Sequence, residues 1–127
     1  MSRRLIGSGS LFEAAYGYSC AVVTGGFVFV AGTTGYDDAT MTMPEEAAAQ
    51  AEACWRTIAS VLAEAGSGLE RIVRATYYVT DRADAEAVLA VCGRVLAQVR
   101  PAATLLVVAG LLRPEMKLEI EVTATLG

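Results

Sequence analysis

Residues 103–109 read ATLLVVA, a run in which no side chain is charged and only Thr104 carries a polar group. A strand with one face in water alternates apolar and polar residues, and this run does not. Both of its faces therefore need cover. Residues 27–31, FVFVA, make the same demand. A chain of 127 residues, one domain by length, has few elements with which to meet it.

The covering elements are two. Residues 44–65 carry Ala47, Ala51, Cys54, Trp55, Ile58, Val61 and Leu62 on one stripe at three-to-four spacing, which predicts a helix. Pro44 suits its first turn, Glu45 and Glu46 its positive end, and Gly66 its stop. A second helix is predicted over 82–98, capped by Thr80 or Asp81 and closed before Pro101. Its stripe holds Ala85, Val88, Leu89, Cys92, Val95 and Leu96.

The remaining patterns are strands. Residues 18–24 and 27–31 flank Gly25-Gly26, a tight-hairpin signal. Residues 72–80, IVRATYYVT, are rich in β-branched and aromatic types. Residues 116–125 alternate, with Leu118, Ile120, Val122 and Ala124 on one face and Lys117, Glu119, Glu121, Thr123 and Thr125 on the other. The predicted order is β-β-α-β-α-β-β. Right-handed crossovers put both helices on the same face of one mixed sheet of five or six strands. Nothing left in the chain covers the other face, so self-association through it is expected. The competing reading, a sheet curled over its own back, normally needs more strands.

Composition supports a partner-covered surface. The chain is 54% hydrophobic and 19% charged, with mean hydropathy +0.45. Its net charge is −4 and its pI about 4.8. Ten scattered Lys and Arg residues supply no basic face, and no RNP motif, finger spacing or basic helix is present, which argues against nucleic acid as a partner. No apolar run is long enough to span a membrane, and MSRRLIGSGS lacks the core of a signal peptide. Cys20, Cys54 and Cys92 fit no metal spacing, so reduced thiols in a cytoplasm, with no metal or cofactor, are the expectation.

Histidine is absent, so any catalysis falls to carboxylates, tyrosine, cysteine, threonine, backbone groups or bound water. Glu119 and Glu121 point to the face that sister subunits are expected to cover, where partial desolvation raises a carboxylate's pKa toward the range useful for proton transfer. The alternative places both on a solvated edge strand. Gly32 and Gly35 in AGTTGYDDAT allow backbone N–H groups to approach a ligand, but the stretch lacks phosphate-loop spacing and a basic residue. A plain loop into the first helix explains it equally well. Tyr18 and Cys20 share a face if residues 18–24 are regular strand. Cys20 has no histidine to activate it as a nucleophile.

GYSCAV, FVFVAGTTG, the block from AQAEACW to YYVTD, RPAATLLVVAGL and KLEIEVTA together resemble the Rid family, also called the YjgF family, over residues 12–124. The resemblance implies a chorismate-mutase-like α+β fold and a homotrimer whose sheets face an inner barrel. It implies hydrolysis of small reactive imines and enamines, such as 2-aminoacrylate, in clefts between subunits. Carried over position by position, it implies a ligand-contacting backbone at Gly32 with Thr33 beside it, a pocket tyrosine at Tyr18 and a water-positioning carboxylate at Glu121. It also implies an arginine after Pro101-Ala102 to grip a substrate carboxylate. Here that residue is Ala103, followed by Thr104, and the nearest guanidinium in sequence is Arg100. Alanine offers no donor, so ordinary aminoacrylate deamination is not expected. A non-catalytic metabolite-binding or regulatory trimer is the alternative, and Arg100 and Arg113 are the candidates to replace the absent arginine.

Overall fold

The computed structural model describes residues 2–127. Its elements run β1 (Arg4–Ile6), α1 (Leu11–Tyr16), β2 (Ala21–Thr24), β3 (Phe27–Thr33), α2 (Ala47–Glu64), β4 (Ile72–Val79), α3 (Ala85–Val95), β5 (Ala102–Val107) and β6 (Leu118–Thr125). Single 3-10 turns at Leu69–Arg71 and Arg82–Asp84 lead into β4 and α3. The strands form one six-stranded mixed sheet in the order β1-β2-β3-β6-β4-β5. Only β4 and β5 are parallel.

Local chemistry sets the boundaries. Gly25 and Gly26, with φ of 60° and 82°, make the two-residue turn between β2 and β3, a conformation that costs glycine least. Helix α2 ends in a Schellman arrangement: Gly66 N–H donates to Ala63 O and Ser67 N–H to Leu62 O, at 3.1 and 2.8 Å. The second predicted helix is shorter at both ends than its sequence pattern. Asp81 accepts from Ala83 N–H at 2.9 Å and opens a 3-10 turn rather than an α-helix. At the far end Val99 and Arg100 both donate to Leu96 O, with Arg100 at φ 53° before Pro101.

Both long helices pack on one sheet face. Ala51, Cys54, Ile58 and Leu62 of α2 and Val88 of α3 are fully enclosed against Val28, Ala75, Val79, Leu118, Ile120 and Ala124. Burying each large aliphatic side chain stabilises by about 1.5–3 kcal/mol. Trp55 meets Tyr77 edge-on, with ring centroids 6.3 Å apart at 75°. One polar side chain enters this layer. Gln50 donates to Pro44 O and Glu115 O at 2.8 and 3.0 Å and accepts from Lys117 N–H at 3.0 Å, tying the loop before β6 to the start of α2.

The opposite face has no cover within the chain. Leu5, Phe27 and Phe29 lie there 58%, 42% and 45% exposed. Neither face of β5 is closed: Leu106 and Val107, which point to opposite sides, are both exposed. The demand posed by residues 103–109 is thus unmet by one chain.

Three features correct the sequence reading. The order gains β1 and α1 before the predicted elements, because a three-residue strand and a six-residue helix are too short to show a period. Strand β2 begins at Ala21, so Tyr18 and Cys20 lie in irregular chain and the shared-face argument does not apply to them. The last strand is also not an edge. β6 sits between β3 and β4, which removes the solvated-edge alternative for its glutamates.

Candidate functional site

The site is built around an irregularity in β3. Val30 opposes Val122 and Thr33 opposes Ile120, so Ala31 and Gly32 together face the single residue Glu121. This bulge re-aims the strand, a device common beside functional sites. It turns the bare Cα of Gly32 toward Glu119. A Cβ there would fall 2.7 Å from Glu119 Cδ and 2.8 Å from its Oε2.

Glu119 is half-buried, and its pKa is raised above the ordinary 4.5, first by that burial and then by the neighbouring charge of Glu121. Glu121 is held separately. Tyr78 on β4 donates its phenolic O–H to Glu121 Oε1 at 2.5 Å, and this bond is the main cause of the raised Tyr78 pKa. Two carboxylates on one strand face thus have different surroundings, one desolvated against backbone and one anchored by a phenol.

Tyr18 follows Gly17, which caps α1 in the left-handed conformation at φ 74°. Gly17 and Tyr18 N–H both donate to Glu13 O, at 3.0 and 3.1 Å, and hold the phenol beside the sheet. Its pKa is raised by burial first, then by Glu13, with Glu119 among the smaller contributors. Tyr18, Phe29, Ala31 and Glu121 line a cleft of about 750 Å³ between α1 and the open sheet face. Cys20 has its thiol pushed up by burial and by Glu13, and Cys54 is pushed up to about 12, so neither is primed as a thiolate nucleophile.

The other predicted positions lie elsewhere. Thr33 donates its hydroxyl to Ala31 O at 3.0 Å, and its carbonyl accepts from the Cys54 thiol at 3.2 Å, so it faces its own chain. Ala103 pairs with the enclosed Ala75, which puts its side chain on the helix side of the sheet edge. Thr104 points to the open side and accepts from Arg74 at 3.1 Å. Arg100 closes the end of α3, and Arg113 lies with its guanidinium carbon 5.8 Å from the centre of the Phe12 ring. Within one chain Gly32 meets Glu119, and Tyr18 lines a cleft with Glu121, the next residue on the same strand face. Arg100, Ala103 and Thr104 lie at the far edge of the sheet, beyond β4.

Two residues that the sequence reading passed over belong to this face. Arg74 and Tyr78 flank Thr76 on β4, and the alternation Arg74, Thr76, Tyr78 was the signal available for them. Among the described residues, no three His, Cys, Asp or Glu side chains are placed to hold a metal ion, and no helix is long and apolar enough to cross a membrane.

A six-stranded sheet with two helices on one face and a carboxylate-bearing central strand is the α+β, chorismate-mutase-like fold. Residues 9–126 match the family described as Endoribonuclease L-PSP. The Streptomyces coelicolor protein SCO2049 is 32% identical over 124 residues, covering 98% of this chain and 92% of that one. The RutC family protein slr0709 of Synechocystis is 32% identical over 111 residues, covering 86% and 85%. The crystal structure of Rv2704 from Mycobacterium tuberculosis, of the YjgF/YER057c/UK114 family, superposes with a TM-score of 0.89 at 37% identity, covering 98% and 99%. The chain belongs to this YjgF, or Rid, family.

Proposed function

We propose that the protein is a homotrimer that hydrolyses a small reactive imine or enamine at clefts between its subunits. The observation that carries this reading is the desolvated Glu119 carboxylate seated over Gly32, with Glu121 next to it lining the cleft that holds Tyr18. The resemblance assigns the water to Glu121; the geometry favours Glu119 for it, with Glu121 as the charge that keeps Glu119 basic. Glu119 takes a proton from water as the oxygen attacks the C=N carbon. It returns that proton to nitrogen, and collapse of the carbinolamine releases ammonia and a carbonyl product. Enamines enter the same path after protonation at carbon.

Assembly is supported by the uncovered face and by the two open faces of β5. A trimer would bring the β5 edge of one subunit, with Arg100, Ala103 and Thr104, against the Glu119 end of the next. Ala103 supplies no carboxylate grip there, so the substrate of this reading is not a simple 2-imino acid held by a guanidinium fork. Three free cysteines suit a reducing, cytoplasmic setting. The acidic surface gives no support to a nucleic-acid substrate, whatever the family's printed description.

The experiment is turnover of imines generated in place by an amino-acid oxidase, comparing the wild-type protein with Glu119→Gln and Glu121→Gln. The reading expects loss of turnover in the first and a shifted pH profile in the second. Full activity in Glu119→Gln overturns it. The second reading, a trimer that binds a metabolite without consuming it, is favoured by Ala103 and predicts a ligand that raises the melting temperature yet is recovered intact.

A further inference from the structure

The bulge that presents Gly32 to Glu119 is fastened by bonds from outside its own ladder. An extra residue in one strand disrupts the pairing around it. Here the disturbed stretch draws three other partners. Ala31 N–H donates to Cys20 O at 2.9 Å, and the Thr33 hydroxyl donates to Ala31 O at 3.0 Å. The thiol of Cys54 on α2 donates to Thr33 O at 3.2 Å. That last bond comes from the helix layer, on the other side of the sheet from Glu119.

Helix α2 takes hold a second time two residues later. Gly35 lies so close to it that a Cβ there would fall 2.9 Å from Gln50 Cα and 3.1 Å from Gln50 O. The obstacle is backbone and cannot swing aside. Gln50 and Cys54 are about one helical turn apart, so adjacent turns of one helix secure the chain as it leaves β3. The Gln50 side chain meanwhile holds Glu115 O and Lys117 N–H, the second only two residues before Glu119. One helix therefore fixes both the exit of the strand that carries Gly32 and the entry of the strand that carries Glu119.

On the reading of Glu119 as the base, on which this inference rests, we propose that Cys54 and Gly35 are positioning residues for it. Through them α2 holds the β3 bulge forward, so that the bare Cα of Gly32 stays against the carboxylate and keeps that side of it dry. Neither residue meets the substrate. Both are buried on the helix side, away from the sheet face that sister subunits would cover. The thiol suits the task. Burial first, then Cys92 and Glu119, push it up to about 12, so it remains an S–H donor at every pH where a carboxylate changes charge. Serine can make the same bond, and alanine cannot.

Titration of the Glu119 side-chain carboxyl by carbon-13 NMR reads the approach directly and needs no substrate. The titratable groups around it are Glu121 on its own strand, Tyr78 opposite it on β4, Cys54 behind it and Tyr18, whose phenol its charge reaches. The two tyrosines and the thiol are all raised, which leaves the carboxylates to titrate at acid pH. Wild-type protein and Cys54→Ser are expected to titrate alike, above the ordinary 4.5. Cys54→Ala lets the bulge relax and water in, so the Glu119 value falls toward 4.5. Gly35→Ala pushes the chain off α2 and lowers it in the same way, an independent route should Cys54→Ala fail to fold. In turnover both alanine variants lose about tenfold or more in kcat with KM little changed, and Cys54→Ser restores it.

A merely structural role lowers the melting temperature of all three variants and leaves the titration in place. A Glu119 value that stays put in folded Cys54→Ala or Gly35→Ala therefore overturns the proposal, as does a serine variant that titrates like the alanine one. Absence of imine turnover in the wild-type protein, with the titrations as expected, overturns the proposed reaction and leaves the positioning role standing.

Discussion

The carboxylate of Glu119 lies over the α-carbon of Gly32, close enough that a methyl group at residue 32 would fall 2.7 Å from Glu119 Cδ. The bulge in β3 creates this approach, and the absence of a side chain at Gly32 permits it. Gly32→Ala is expected to fold, because the displaced group is the free end of a side chain rather than backbone. It should lose on the order of a hundredfold in kcat/KM on imines, the scale of a misplaced catalytic group. Steady-state kinetics with a melting curve on the same sample checks both halves.

The charge of Glu121 is one cause of the raised Glu119 pKa. Neutralising it in Glu121→Gln lowers the Glu119 pKa, so the acid limb of the pH–rate profile moves to lower pH. Tyr78→Phe keeps the charge but frees the Glu121 side chain, and should move that limb less. An acid limb that stays in place in Glu121→Gln removes Glu119 as the titrating base.

A carboxyl whose folded pKa lies above its unfolded value favours the folded state when protonated. That contribution is complete below the unfolded value and is lost as pH rises through the folded one. Glu119 is in this class, with 4.5 as its ordinary value. Glu119→Gln mimics the neutral form, so it should melt at higher temperature than the wild-type protein at pH 7. The difference should vanish near pH 4. Thermal scans across pH test the sign.

Gln50, 1% exposed, holds three backbone groups at the edge of the helix layer. Gln50→Leu keeps the volume but strands Pro44 O, Glu115 O and Lys117 N–H. A loss of about 2–4 kcal/mol is expected, measured by urea unfolding. Because the clamp sits on the loop before β6, the same variant should disturb Glu119, and with it turnover.

Phe29 stands 45% exposed in the middle of the open face. Phe29→Lys places a charge where the proposed trimer buries an aromatic ring. Sedimentation at micromolar concentration should give trimers for the wild-type protein and smaller species for the variant. A wild-type monomer there would remove the clefts, and the proposed chemistry with them.

Periodicity made much of this legible in advance. The stripe from Ala47 to Leu62 announced α2, the alternation from Leu118 to Thr125 announced β6 and its two faces, and Gly25-Gly26 announced the hairpin. The unmet apolar demand of residues 103–109 announced an open sheet. The elements that escaped, β1 and α1, are shorter than one repeat of any pattern that could reveal them. Tyr18 was read as strand because its neighbours are strand-forming, whereas the left-handed cap at Gly17 turns the chain first.

What the sequence determined by itself is the layer plan, since hydrophobic period dictates which side of each element must leave water. It also determined the missing donor at position 103, a matter of residue identity alone. The tertiary structure decided which carboxylate meets Gly32, because that depends on a one-residue bulge that shifts register by an amount no local pattern encodes. It decided, too, that Arg74 turns to Thr104 and Glu121 to Tyr78. Those choices are made between strands distant in sequence, where only the pairing order brings the competing partners within reach.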